Sequence, residues 1–163
     1  MTQGIYLDNN ATTMVSPEVV EAMLPYFTEQ FGNPSSLHQF GNRVGHAIKR
    51  ARQQVQALLG AEHDSEIVFT SCGTESDSTA ILSALKAQPE RKELITTVVE
   101  HPAVLALCEQ LEKEGYKVHY LKVDGRGRLN IRDYMDLLSD RVAIVSVMCA
   151  NNESGTQFPV EEM

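Results

Sequence analysis

Four short runs rich in β-branched and aliphatic residues recur from position 66 onward, at 66–70, 94–98, 117–121 and 142–147. Helical periodicity separates them. Positions 74–86 put Ala80, Ile81, Ala84 and Leu85 on one face, and positions 102–114 do the same with Val104, Leu105, Cys108 and Leu111 before Gly115. A shorter pattern after Asn130 carries Ile131, Tyr134 and Leu138. No single motif constrains the chain as much as this alternation. A strand followed by a helix, repeated, predicts an α/β architecture with a mostly parallel sheet flanked by helices.

The stretch before the first run is helical. Ser16-Pro17-Glu18 supplies a hydroxyl cap, a proline at the first helical position and an acid in the first turn, with Val19, Val20, Met23, Tyr26 and Phe27 following at helical spacing. Positions 31–36 are a loop by composition. A second helix carries Val44, Ile48, Ala51, Val55, Leu58 and Leu59 and stops at Gly60, a natural left-handed cap. Pro159-Val160-Glu161-Glu162 reads as one more helix start, with Met163 the last residue. The expectation is an N-terminal arm at 1–15, then an incomplete domain at 16–163 that is the front part of a longer protein.

Charge and cysteine usage narrow the function classes. Lys and Arg total 14 against 22 Asp and Glu, a net charge of -8, which argues against nucleic acid or an anionic membrane as the main partner. No apolar run approaches the roughly 20 residues that span a bilayer. The start, Met1-Thr2-Gln3-Gly4, has neither the basic nor the apolar segment of an export signal. Cys72, Cys108 and Cys149 are odd in number and widely spaced, which fits a cytoplasmic protein better than a disulfide framework or a cysteine-rich zinc site. His38, His46, His63 and His119 show no metal-ligand spacing and read as structural or exposed.

Three turns are candidates for chemistry. At Ser71-Cys72-Gly73-Thr74 a strand pattern gives way at once to a helix pattern. The first turn of a helix has backbone N–H groups without intrahelical partners, and its dipole favours an anion. Gly73 permits close approach and Thr74 adds a hydroxyl, so the turn suits a phosphate. A capped helix without a ligand fits the same spacing. Cys72 reads as a small filler rather than a nucleophile, and Cys108 as core. His101 stands between a strand and a helix, where imidazole stacks on a flat ring or moves a proton; a capping histidine fits too. Its neighbour Glu100 reads as solvent-facing. Asn151-Asn152 follows the last strand pattern and offers uncharged donors and acceptors, or simply an Asx turn before Gly155. Three such turns on one sheet edge would form a pocket for a ring bearing a phosphate.

Several stretches together resemble the class V aminotransferase-like family, fold type I pyridoxal-phosphate enzymes. They are 6–13 (YLDNNATT), 31–38 (FGNPSSLH), 67–81, Glu100-His101, and 151–155 (NNESG). Within that family the match is to cysteine desulfurases of the NifS/IscS group, and 70–77 (TSCGTESD) looks most like the NifS branch, which serves nitrogenase cluster assembly. The resemblance implies a cofactor, pyridoxal 5'-phosphate, with Gly73 and Thr74 at its phosphate. It implies that His101 stacks on the ring and is a candidate for acid–base work. It implies that Asn152 lies near the phenolic oxygen and the substrate carboxylate, and that Cys72 is a bystander. The implied reaction converts L-cysteine to L-alanine and leaves a persulfide on an enzyme cysteine, for delivery to a sulfur-accepting cluster scaffold protein. It also implies a homodimer, with 6–13 and 33–41 near the subunit interface.

The family's Schiff-base lysine lies in a Ser-Gly-His-Lys context, which none of Lys49, Lys86, Lys92, Lys113, Lys117 and Lys122 has. By the resemblance, the lysine, the aspartate facing the pyridinium, the substrate-binding arginine and the persulfide-forming cysteine belong beyond Met163. The 163 residues alone are therefore expected to be inactive. Other readings stay open: a selenocysteine lyase or another class V relative, and a non-catalytic interaction fragment.

Overall fold

The computed structural model describes residues 4–163. The non-signal start, Met1-Thr2-Gln3, lies outside the described residues. The chain forms two compact units, one ending at Phe69 and the other Thr70–Met163.

The first unit is helical. Helix α1, Pro17–Thr28, begins where the sequence directs: the Ser16 hydroxyl accepts from the Val19 N–H at 3.4 Å, with proline at the first helical position. None of its residues is buried, and Val19, Met23 and Phe27 are exposed. Helix α2, Gln39–Leu59, is capped by His38, whose Nδ1 accepts from the Gly41 N–H at 3.3 Å. It ends at Gly60, whose φ of 70° is the left-handed value that glycine reaches without strain. Gly41 is buried because a Cβ there would collide with the carbonyls of Asn33 and Ser36.

The strand expected at 66–70 does not form. Asp64–Glu66 is a 3₁₀ turn, and 67–70 runs without a ladder partner among the described residues. Its carbonyls look elsewhere. The Arg52 guanidinium donates to the Ile67 carbonyl and stacks 4.9 Å over the Phe69 ring. An apolar run becomes a strand only when a neighbouring chain completes its hydrogen bonds.

In the second unit the elements are α3 (Gly73–Ala87), β1 (Glu93–Thr97), α4 (Pro102–Lys113), β2 (Lys117–Leu121), α5 (Ile131–Leu137) and β3 (Val142–Val145). The sheet order is β2-β1-β3, with both pairings parallel. Central β1 is buried along its whole length. Successive residues point to opposite faces: Leu94 packs with Ile81, Leu85, Val104, Cys108 and Leu111 of α3 and α4, whereas Ile95 packs with Leu121, Tyr134 and Val142 on the α5 side. The order β2-β1-β3 reverses the chain's direction of travel across the sheet between β1 and β3. That reversal is where open parallel sheets leave a crevice at their carboxyl ends.

Among the described residues Pro159 opens a hydrogen-bonded turn, with the Glu162 N–H on the Pro159 carbonyl at 3.0 Å. Among the described residues, no helix is long and apolar enough to cross a membrane.

Candidate functional site

A cleft of about 420 Å³ lies past the carboxyl ends of β1 and β3. Its lining includes Val99, Glu100, His101 and Pro102 from the β1 exit, Asn151, Asn152, Glu153 and Ser154 from the β3 exit, and Gly127. Two of the three predicted turns therefore share one cavity.

His101 takes the capping role open to it in the sequence and also stands on the cleft. It is the N-cap of α4, its Nδ1 accepting from the Ala103 N–H at 3.2 Å, and it lines the cleft. Because Nδ1 accepts, the neutral ring carries its proton on Nε2. Asn151 is the structural half of the asparagine pair. Its Oδ1 accepts from the N–H groups of Glu153 (3.1 Å) and Ser154 (2.8 Å) and from the Ser154 hydroxyl (3.1 Å). This is the Asx turn expected before Gly155, whose φ is 73°. Asn152 stands beside it on the cleft wall.

Glu100 corrects the reading of it as solvent-facing. The residue is 7% exposed. Its Oε1 accepts from the Met148 N–H at 2.9 Å and the Thr97 hydroxyl at 3.1 Å. Burial pushes its carboxyl above the ordinary carboxylate range, against the pull of those two donors. Its position one place before the histidine gave no sign of burial. The signal available was Thr97, three residues earlier, a hydroxyl within reach of a carboxylate that folds back.

The Gly73-Thr74 turn is not among the residues lining this cleft. It opens α3, where Cys72 supplies an extended N-cap but no capping side-chain hydrogen bond. A Cβ on Gly73 would meet nothing within 4 Å. The first turn of α3 is thus open to a group arriving from outside, as an anion cradle requires. Glu75 folds back instead of filling it, its Oε2 accepting from the Ser71 N–H (2.7 Å) and hydroxyl (2.6 Å).

Cys72 is exposed rather than a buried filler. The Glu75 N–H, and after it the Ser71 hydroxyl, hold its thiol below the ordinary value. Cys108 is fully buried as expected, and burial pushes its thiol up to about 11. Cys149 is exposed. Among the described residues, no group of three or more His, Cys, Asp and Glu side chains is placed to hold a metal ion. His119 is structural: its Nε2 lies 2.6 Å from Glu93 Oε2 at the start of β1.

Comparison with known proteins adds the following. The family description Aminotransferase class-V matches residues 5–163. The cysteine desulfurase NifS of Azotobacter vinelandii is 75% identical over 159 residues, which cover 98% of this chain and 40% of the relative. A cysteine desulfurase of Azotobacter chroococcum mcd 1 is 71% identical over 160 residues, covering 98% of this chain and 39% of the relative. Among solved structures, a NifS-like protein superposes with a TM-score of 0.90 at 40% identity, covering 97% of this chain and 43% of the other. The protein SspA, solved in complex with cysteine, superposes with a TM-score of 0.87 at 36% identity, covering 96% and 45%. The chain spans about 40% of the length of the curated relatives it matches.

Proposed function

The chain belongs to the aminotransferase class-V family, and on that premise we propose that it is the front part of a pyridoxal-phosphate-dependent cysteine desulfurase. The parent protein converts L-cysteine to L-alanine and passes the sulfur, as a persulfide, to a cluster scaffold protein. The identity to a NifS protein supports a place in nitrogen fixation.

One observation carries the reading. His101 and Asn152 line one cleft at the strand-order reversal, the place such sheets reserve for ligands. The donor set fits pyridoxal phosphate: a flat imidazole for the ring, an uncharged amide for its oxygen, and an uncapped helix start with an open glycine for the phosphate. When bound, the cofactor supplies an electron sink for the substrate carbanion.

The chain's own residues do the rest. The Gly73 and Thr74 end of α3 binds the phosphate through backbone N–H groups and a hydroxyl. His101, held by its bond to the Ala103 N–H, presents the ring face and a proton on Nε2. Asn152 orients the ring oxygen and the substrate carboxylate. The lysine, arginine and mobile cysteine of the family belong to the rest of the parent protein, so these 163 residues alone turn nothing over. The parent is cytoplasmic, in keeping with three free cysteines in this part of it, and works as a homodimer, as the family resemblance implies.

The test is cofactor loading and alanine release from L-cysteine by the full-length protein. Pyridoxal phosphate is expected to bind, and His101→Ala and Asn152→Ala are expected to shift its visible band and slow alanine release. A full-length protein that binds no pyridoxal phosphate overturns the reading.

A further inference from the structure

The last ladder pair joining β1 to β3 is Ile95 with Val145, followed by one main-chain bond from the Ser146 N–H to the Ile95 carbonyl at 2.9 Å. Beyond it, side chains take over the bridging. Thr96 Oγ1 donates to the Ser146 carbonyl at 2.9 Å. Glu100 Oε1 accepts from the Met148 N–H at 2.9 Å. Asn151 Nδ2 donates to the Val99 carbonyl at 3.2 Å. In the last two bridges the donor is on the β3 side both times, but the side chain comes once from each exit. A β1-exit side chain takes a donor from the β3 exit, and a β3-exit side chain gives one to the β1 exit.

Each bridging side chain is itself fixed. Glu100 Oε1 also accepts from Thr97 Oγ1, and Thr97 is wholly buried and accepts from the Val99 N–H at 3.3 Å. Asn151 Oδ1 is committed to Glu153 and Ser154, which orients the amide and aims Nδ2 at Val99. Each residue also sits one position before a cleft-lining side chain: Glu100 before His101, Asn151 before Asn152.

We propose that Glu100 and Asn151 are positioning residues, two stitches with one side chain from each strand exit, that set the separation of His101 and Asn152 across the cleft. The proposal deepens the reading above and rests on it for the identity of the ligand. The separation matters because a ring held from one side by imidazole and at its edge by an amide tolerates little play. Misplacement of about 1 Å can cost on the order of a hundredfold in rate. The ladder ends too early to hold that distance.

The experiment compares wild type, Glu100→Ala, Glu100→Gln and Asn151→Asp in the full-length protein. It measures pyridoxal phosphate affinity and visible band, and amide hydrogen exchange at Met148 and Asn152. Glu100→Ala removes the acceptor. Glu100→Gln keeps an oxygen for Met148. Asn151→Asp keeps the acceptor side of the turn, removes the donor to Val99 and adds a charge to the cleft wall, so amide exchange at Met148 and Asn152 is its deciding readout. Glu100→Ala and Asn151→Asp are expected to weaken binding about tenfold or more, shift the band and speed exchange at Met148 and Asn152. Glu100→Gln is expected to stay within about threefold of wild type.

Wild-type affinity and band in both Glu100→Ala and Asn151→Asp would overturn the positioning role and leave the cofactor reading standing. If wild type binds no pyridoxal phosphate, that reading falls. Exchange then decides the stitches alone, and unchanged protection in Glu100→Ala refutes them. Should Glu100→Ala fail to fold, Asn151→Asp decides by amide exchange at Met148 and Asn152, and unchanged protection there refutes the stitches.

Discussion

Gly73→Ala separates a phosphate cradle from an ordinary helix start, because the two assign opposite consequences to one methyl group. Gly73 is the first residue of α3, and its φ lies outside the left-handed region. An added Cβ would meet no atom within 4 Å. Folding therefore has no objection to alanine. Replacing glycine in a helix interior gains about 0.5–1 kcal/mol, and at the first helical position the gain is smaller. The apo protein is expected to unfold at the wild-type temperature or slightly above it. Ligand binding responds differently. A methyl group over the first turn keeps a phosphate from its backbone N–H groups, and losing one or two hydrogen bonds to a charged group costs about 1.5–3 kcal/mol each. At about 1.4 kcal/mol per factor of ten, one lost bond alone weakens binding roughly tenfold to a hundredfold. Thermal unfolding of the apo full-length protein and a pyridoxal phosphate titration read the two effects independently. Wild-type affinity in Gly73→Ala refutes the cradle. A marked drop in apo stability refutes the argument that the glycine faces open space.

Three further outcomes are expected. Leu94→Ala opens a hole beneath α3 and α4 at a fully buried position and is expected to destabilise by about 2–5 kcal/mol in chemical denaturation, the range for large-to-small core changes. The Glu93 carboxyl is held down to about 2, first by its hydrogen bond with His119 and then by Arg141. A depressed folded value adds stability above the ordinary value of 4.5, lost as pH falls toward about 2; the gap in urea midpoint between wild type and Glu93→Gln is expected to close across that window, and a constant gap counts against it. Iodoacetamide at neutral pH is expected to label Cys72, exposed and with a lowered thiol value, while buried Cys108 stays silent until unfolding, as peptide mapping will show.

What was legible in the sequence is what local chemistry decides. Ser16 and Gly60 mark helix ends because a cap hydroxyl and a left-handed glycine act within a few residues of themselves. Strand β2, Lys117–Leu121, occupies the predicted span because its pattern and its partner β1 agree. What was not legible depends on distant chain. Positions 67–70 have a strand's composition, but Arg52 takes the Ile67 carbonyl and no neighbour among the described residues supplies a ladder. Helix α1 was predictable from its cap and proline; that its apolar face would stand exposed was not, since burial belongs to whatever packs there. His101 and Asn152 stand on one cleft as the strand-end logic expects. Glu100 escaped because its partner, Met148, lies 48 residues away.

Glu93 and Glu100 sit at opposite ends of the β1 path, and their surroundings explain why one end is structural and the other suits a ligand. Glu93 Oε1 takes the Arg141 Nε at 2.5 Å, and its Oε2 has His119 at 2.6 Å and the Lys117 ammonium at 3.8 Å. The His119 hydrogen bond and the Arg141 guanidinium keep it ionised, and both its oxygens are occupied. At Glu100 the donors are a peptide N–H and a threonine hydroxyl, both neutral, and no ion pair to it forms among the described residues. Neutral donors anchor the carboxyl without offsetting burial in full, so its pKa stays above the ordinary value. Both oxygens of Glu93 are taken at one end, whereas at the other Glu100 lines the cleft while its Oε1 holds the two neutral donors. Glu100 therefore braces the cleft wall through a peptide N–H and a hydroxyl rather than through an ion pair.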